Sequence, residues 1–151
     1  MIILSQGDKR WSKNLLGNSS LSLGRWGCTT TSVSMLSDYF GSYVSPAQMA
    51  KNPAYYTKDG LIIWQALSFK KMKFVVREHG EKRQNILAAI KDPDMAVILQ
   101  VDNGRHWVAA MGVTKDGKDY IVADPWLGKK INAKAVYKNV TGAAYFERII
   151  K

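Results

Sequence analysis

The chain has 151 residues, with 22 basic and 12 acidic side chains giving a net charge of +10 and a hydrophobic share of 46%. That length suits one domain over residues 1–151 and is short for two. No apolar run approaches the roughly 18 residues of a membrane span, and the four apolar residues that open MIILSQGDKRW are too few for a secretory signal.

Residues 5–27 are rich in glycine, serine and asparagine, have little periodicity and read as an ordered loop. Residues 28–40, CTTTSVSMLSDYF, place Val33, Leu36 and Phe40 at helical spacing, with Gly41 at the C-terminal cap. Ser45-Pro46 starts a short helix to about Lys51, a capping hydroxyl followed by proline at the first helical position. A third helix is expected near Leu61–Lys71, with Leu61, Trp64, Leu67 and Phe69 inward. MKFVVR (72–77) reads as a strand and residues 81–91 as a fourth helix, stopped by Asp92-Pro93.

The last third changes character. MAVILQV (95–101), HWVAAMGV (106–113) and DYIVAD (119–124) are strand-like, and the Asp116-Gly117 turn joins the last two as a hairpin. Ile131 and AYFERII (144–150) add further strands. Helices first and an antiparallel sheet afterwards define an α+β domain.

The basic residues are spread along the chain, densest over Lys70–Arg83 and Lys115–Lys138. Such a surface attracts polyanions, an anionic wall among them, and equally serves as a solvated face. No zinc-finger spacing or stacking platform is present, so nucleic acid is not an expected partner.

Cys28 is the one cysteine, which excludes an intrachain disulfide and a thiolate zinc cluster. With only two, well-separated histidines, no metal or other cofactor is expected. A lone cysteine is ordinarily a small buried hydrophobe. Cys28, however, opens the first convincing helix, where unpaired N–H groups and the helix dipole favour a thiolate. Gly27 before it leaves room for a second chain to approach the sulfur.

A reactive thiolate needs a proton carrier. His79 lies in a charged turn, whereas His106 opens a strand whose alternation sets His106, Val108, Ala110 and Gly112 on one face, small enough to pack on the Cys28 helix. The hairpin brings the end of its second strand, Asp124, near His106, where a carboxylate fixes the imidazole. Asp102 and Asn103 are the alternatives for that role. The Cys28 N–H and the Gln6 amide are candidate oxyanion donors. Trp11, Trp26, Trp107 and Trp126 either line a groove or pack in the core and rim.

Taken together, Gln6-Gly7-Asp8-Lys9-Arg10-Trp11, Trp26-Gly27-Cys28-Thr29-Thr30-Thr31-Ser32, His106-Trp107-Val108 and Asp124-Pro125 resemble the papain-like cysteine peptidases. Within them, the chain is similar to the double-glycine-leader peptidases of bacteriocin exporters and their stand-alone relatives. The resemblance runs from Gln6 to the final strands. It implies a papain-like fold, with N-terminal helices packed on a C-terminal antiparallel sheet. It also implies Cys28 as nucleophile, His106 as base, Asp124 as orienter and Gln6 as oxyanion donor.

Thr29-Thr30-Thr31 departs from the glycine or proline that often follows the exporter cysteine, and no transporter follows Lys151, so leader trimming is the lesser expectation. Stand-alone relatives of this size often cut peptidoglycan, including in bacteriophage endolysins. The expectation is therefore a monomeric cell-wall hydrolase, made without a signal peptide and acting on the wall after release. A protein or leader-peptide peptidase and a non-catalytic wall- or peptide-binding module are the alternatives.

Overall fold

The computed structural model describes residues 1–149. The elements in chain order are α1 (Leu23–Trp26), α2 (Cys28–Tyr39), α3 (Pro46–Ala50), β1 (Met72–His79), α4 (Arg83–Lys91), β2 (Met95–Val101), β3 (His106–Val113), β4 (Tyr120–Asp124), β5 (Lys129–Asn132), α5 (Ala133–Tyr137) and β6 (Val140–Arg148). The six strands form one antiparallel sheet in the order β1-β6-β2-β3-β4-β5. Helices come mainly first and the sheet follows, which is the α+β, papain-like arrangement expected.

Both sheet faces are covered, and the central strands show it. In β2, Ala96 and Ile98 face the α2 side with Val33, Met35 and Leu36, while Val97, Leu99 and Val101 face the other side with Ile86 and Ala89 of α4. A strand buried on two faces reads as an almost continuous apolar run, which is what MAVILQV is. α2 owes its stability to that burial rather than to its Thr-rich first turn, since residues from Thr30 to Ser37 are all buried. Its polar members are satisfied locally, as when the Ser34 hydroxyl donates to the Val44 carbonyl at 2.5 Å.

Ser45 caps α3 as expected, and Gln48 completes a capping box by accepting from the Ser45 N–H. The helix expected over Leu61–Lys71 does not form. Trp64–Ala66 makes one 3-10 turn, and Tyr56↔Ile62 and Ser68↔Lys73 are antiparallel bridges. The β-branched pair Ile62-Ile63 favours extended backbone directly after the Gly60 turn, whose φ is +83°. Leu67 is buried there, but Leu61 stands out in solvent. The strand expected over 72–77 continues to His79, and the helix expected from 81 begins at Arg83. The expected last strand is β6, although Ile150 lies outside the described residues. Among the described residues no helix is long and apolar enough to cross a membrane.

Candidate active site

Cys28 is the first residue of α2, half-buried, with Gly27 as the N-cap. Gly27 has a different purpose from the one expected. It is buried, and a Cβ on it would lie 2.4 Å from the Leu23 carbonyl oxygen and 2.8 Å from the Leu23 side chain. The glycine therefore allows α1 to fold tightly against the start of α2, where Cys28 lines a cleft.

His106 begins β3, and Asp124 ends β4. The ladder pairs Ala109 with Ala123, so Asp124 falls diagonally from His106 on the same side of the sheet. The imidazole Nε2 meets the Asp124 Oδ1 at 2.7 Å. Asp124 is fully buried and His106 is 8% exposed. Asp124 also accepts from the Trp126 N–H on Oδ1 at 2.9 Å and from the Tyr137 hydroxyl on Oδ2. Burial raises the Asp124 pKa, but the hydrogen bonds from His106 and Tyr137, the His106 charge and the Trp126 N–H outweigh it and hold the carboxyl below its ordinary value.

Burial likewise opposes a charge on His106. Hydrogen bonds to Asp124 and to Cys28, with the charges of both partners, prevail and push it up to about 9. With Nε2 held by Asp124, Nδ1 is the ring nitrogen left for the thiol. Of the alternatives for the orienting role, Asp102 also lines the cleft, and both it and Asn103 have other partners. Asp102 pairs with Arg105 at 3.3 Å, and Asn103 exchanges hydrogen bonds with Asn139.

His106 does not reach Cys28 across the face expected. Trp107 and Ala109 pack on the α2 side, while Val108 and Ala110 face α4 and Tyr120. Burying the Trp107 indole under α2 removes more apolar surface from water than burying Val108 there would. The Ser32 hydroxyl donates to the Trp107 carbonyl at 3.3 Å across the same contact. The imidazole enters the cleft that Cys28 lines from the strand's first position, at the end of the sheet.

Gln6 is 2% exposed and sits beside this pair. Its N–H donates to the Pro125 carbonyl at 2.9 Å, which ties its loop to the end of β4. One amide hydrogen goes to the Gly24 carbonyl at 3.2 Å, which fixes the amide's orientation and leaves its other hydrogen free for a ligand. Gln6, Cys28 and His106 line a single cleft of about 260 Å³, with Trp26 and Trp126 as exposed walls. Of the other tryptophans, Trp11 is buried in the core with its ring N–H on the Ser5 carbonyl, and Trp107 forms part of a neighbouring cavity.

No local sequence pattern points to Tyr137. It lies in α5, which was not anticipated, and its ring packs 5.1 Å from the His106 ring while its hydroxyl reaches Asp124. Arg25 and Arg105 also line the cleft. Among the described residues no group of three or more His, Cys, Asp or Glu side chains is arranged to hold a metal ion. A thiol, an imidazole with its second nitrogen anchored, and a preset amide donor together make an arrangement capable of acyl transfer.

A model of the Peptidase_C39 like family matches residues 9–149, a span that contains Cys28, His106 and Asp124 and begins just after Gln6. No curated protein matches the chain significantly. With nearly its whole length matched, the chain belongs to the Peptidase_C39-like family of cysteine peptidases.

Proposed function

We propose that the chain hydrolyses peptide bonds through Cys28, His106 and Asp124, with Gln6 as oxyanion donor. One observation carries this reading: His106 is hydrogen-bonded to the fully buried Asp124 and shares a single cleft with Cys28 and Gln6. His106 takes the thiol proton, and the sulfur attacks the carbonyl carbon. The Gln6 amide and the Cys28 N–H receive the oxyanion. Protonated His106 then gives its proton to the leaving amine as the C–N bond breaks. Water, deprotonated by His106, attacks the thioester and frees the acid and the thiol. Asp124 holds the ring and stabilises its positive form throughout.

The proposed substrate is peptidoglycan, cut in its cross-links or stems by a monomer in the manner of an endolysin. The net charge of +10 supports it, because a cationic protein is drawn to an anionic wall. The assay is release of soluble muropeptides with new amino termini from purified sacculi. Intact sacculi alongside a cleaved peptide library would favour a protein or leader-peptide peptidase. Sacculi that bind the protein uncut, with the library also uncut, would favour a binding module.

A further inference from the structure

A second cavity of about 350 Å³ adjoins the cleft, and Trp26 is a wall of both. Its lining combines apolar side chains with a polar side, and Trp64 and Trp107 pack edge to face in it at 5.1 Å. At its rim Leu61 is 65% exposed and Trp26 is 52% exposed. Large apolar side chains left open beside a reactive thiol are suited to being covered by a ligand.

Arg77 is the single charged residue of this lining. Its guanidinium lies 5.2 Å from the centre of the Trp107 ring, donates to the Glu78 carbonyl at 2.8 Å and donates to the Gln100 Oε1 at 3.0 Å. Gln100 is itself fixed, accepting from the Thr141 hydroxyl at 3.0 Å and donating to the Gly104 carbonyl at 3.2 Å. The pair lies over Gly142, where a Cβ would come within 2.8 Å of the Arg77 Nη1 and 3.0 Å of the Gln100 Oε1. The guanidinium is thus held rigidly by neutral groups. Among the described residues no carboxylate pairs with it. Burial pulls its pKa down with no charged neighbour to offset the effect. Two of its five donors are used within the protein, and an unpaired, half-buried guanidinium matches a carboxylate in charge and in its forked geometry.

We propose that this cavity is a substrate subsite that takes an apolar side chain beside the indoles and a carboxylate on Arg77. The inference rests on the peptidase reading of the adjoining cleft. The carboxylate comes either from an acidic side chain of an α-linked peptide or from the free α-carboxylate of γ-linked glutamate in a wall stem.

The test is a cleavage profile of wild-type protein on a peptide library that varies Glu against Gln at each position around the scissile bond. γ-Glutamyl stem peptides with the α-carboxyl free or amidated form the second arm. The expected result is a preference of about tenfold or more in kcat/KM for the carboxylate at one position, carried in KM, in whichever arm supplies the ligand. Arg77→Gln should bring that ratio near one, and Arg77→Lys should restore part of it, which a merely structural arginine would not do. No preference for the carboxylate in either arm, or a ratio unchanged in Arg77→Gln, overturns the subsite.

Should wild-type protein cut nothing, the peptidase reading falls and the subsite is judged by binding. Tryptophan fluorescence of Cys28→Ala protein is then titrated with acetyl-Leu-Glu-amide, acetyl-Leu-Gln-amide and the two stem peptides. Binding of a carboxylate probe about tenfold tighter than its amide upholds the subsite, and equal or absent binding in both pairs rejects it.

Discussion

Tyr137 and His106 converge on one carboxylate: the tyrosine hydroxyl donates to Oδ2 of Asp124 while the His106 Nε2 meets Oδ1 at 2.7 Å. The Trp126 N–H adds a third donor. A buried anion with three donors is rigid, and it fixes the ring it orients. Asp124→Asn should lower kcat roughly 10²- to 10⁴-fold, because the amide neither stabilises the imidazolium nor secures the tautomer. Tyr137→Phe should cost about tenfold. As a positioning residue, Tyr137 should also show itself in the pH profile, which the next experiment measures.

His106 is raised to about 9 from an ordinary 6.5, so the imidazolium persists through neutral pH. The alkaline limb of kcat/KM should fall near pH 9, as His106 loses the proton destined for the leaving amine. Asp124→Asn should move that limb to lower pH, since it removes a hydrogen bond and a charge that raise the histidine. Tyr137→Phe should move it as well, by releasing the carboxylate it holds.

The same shifts set the pH dependence of stability. A raised histidine contributes in full below pH 6.5, and its contribution fades as pH rises through about 9. The lowered Asp124 contributes above its ordinary 3.8 and loses that contribution as pH falls through its folded value. Thermal melts of wild-type and His106→Gln protein should therefore converge between pH 6.5 and 9.

Gln6→Ala should reduce kcat by about 10²-fold with little change in KM, as expected for a donor that matters chiefly in the transition state. Steady-state kinetics separate the two parameters. A change confined to KM would make Gln6 a ground-state binding group.

Gly27→Ala should destabilise the fold by about 1–3 kcal/mol, because a Cβ there meets the Leu23 carbonyl. Denaturant melts check this. Stability equal to wild type would mean that the Leu23 turn of α1 yields easily to the added Cβ.

The parts of this arrangement that were legible in the sequence depend on local patterns. Val33, Leu36 and Phe40 marked α2, the Asp116-Gly117 turn marked the β3–β4 hairpin, and hairpin counting brought Asp124 to His106. Features set by tertiary contact were hidden. Alternation identified two faces of β3 without saying which would meet α2, and the bulk of Trp107 decided that against the expectation. Apolar spacing over Leu61–Lys71 suggested a helix, while Ile62-Ile63 and the Gly60 turn made it extended. Tyr137 reaches Asp124 only because α5 folds back beside β4, and no short-range pattern announces that contact.

In the proposed reaction the Cys28 sulfur forms the covalent intermediate. The most direct measurement compares wild-type protein with Cys28→Ala for hydrolysis of sacculi and of a peptide library, with iodoacetamide labelling read by intact mass and folding read by thermal melting. Cys28→Ala should fold normally, take up no iodoacetamide and lose turnover by roughly 10⁴-fold or more. A folded Cys28→Ala protein that retains wild-type turnover would exclude Cys28 as the nucleophile.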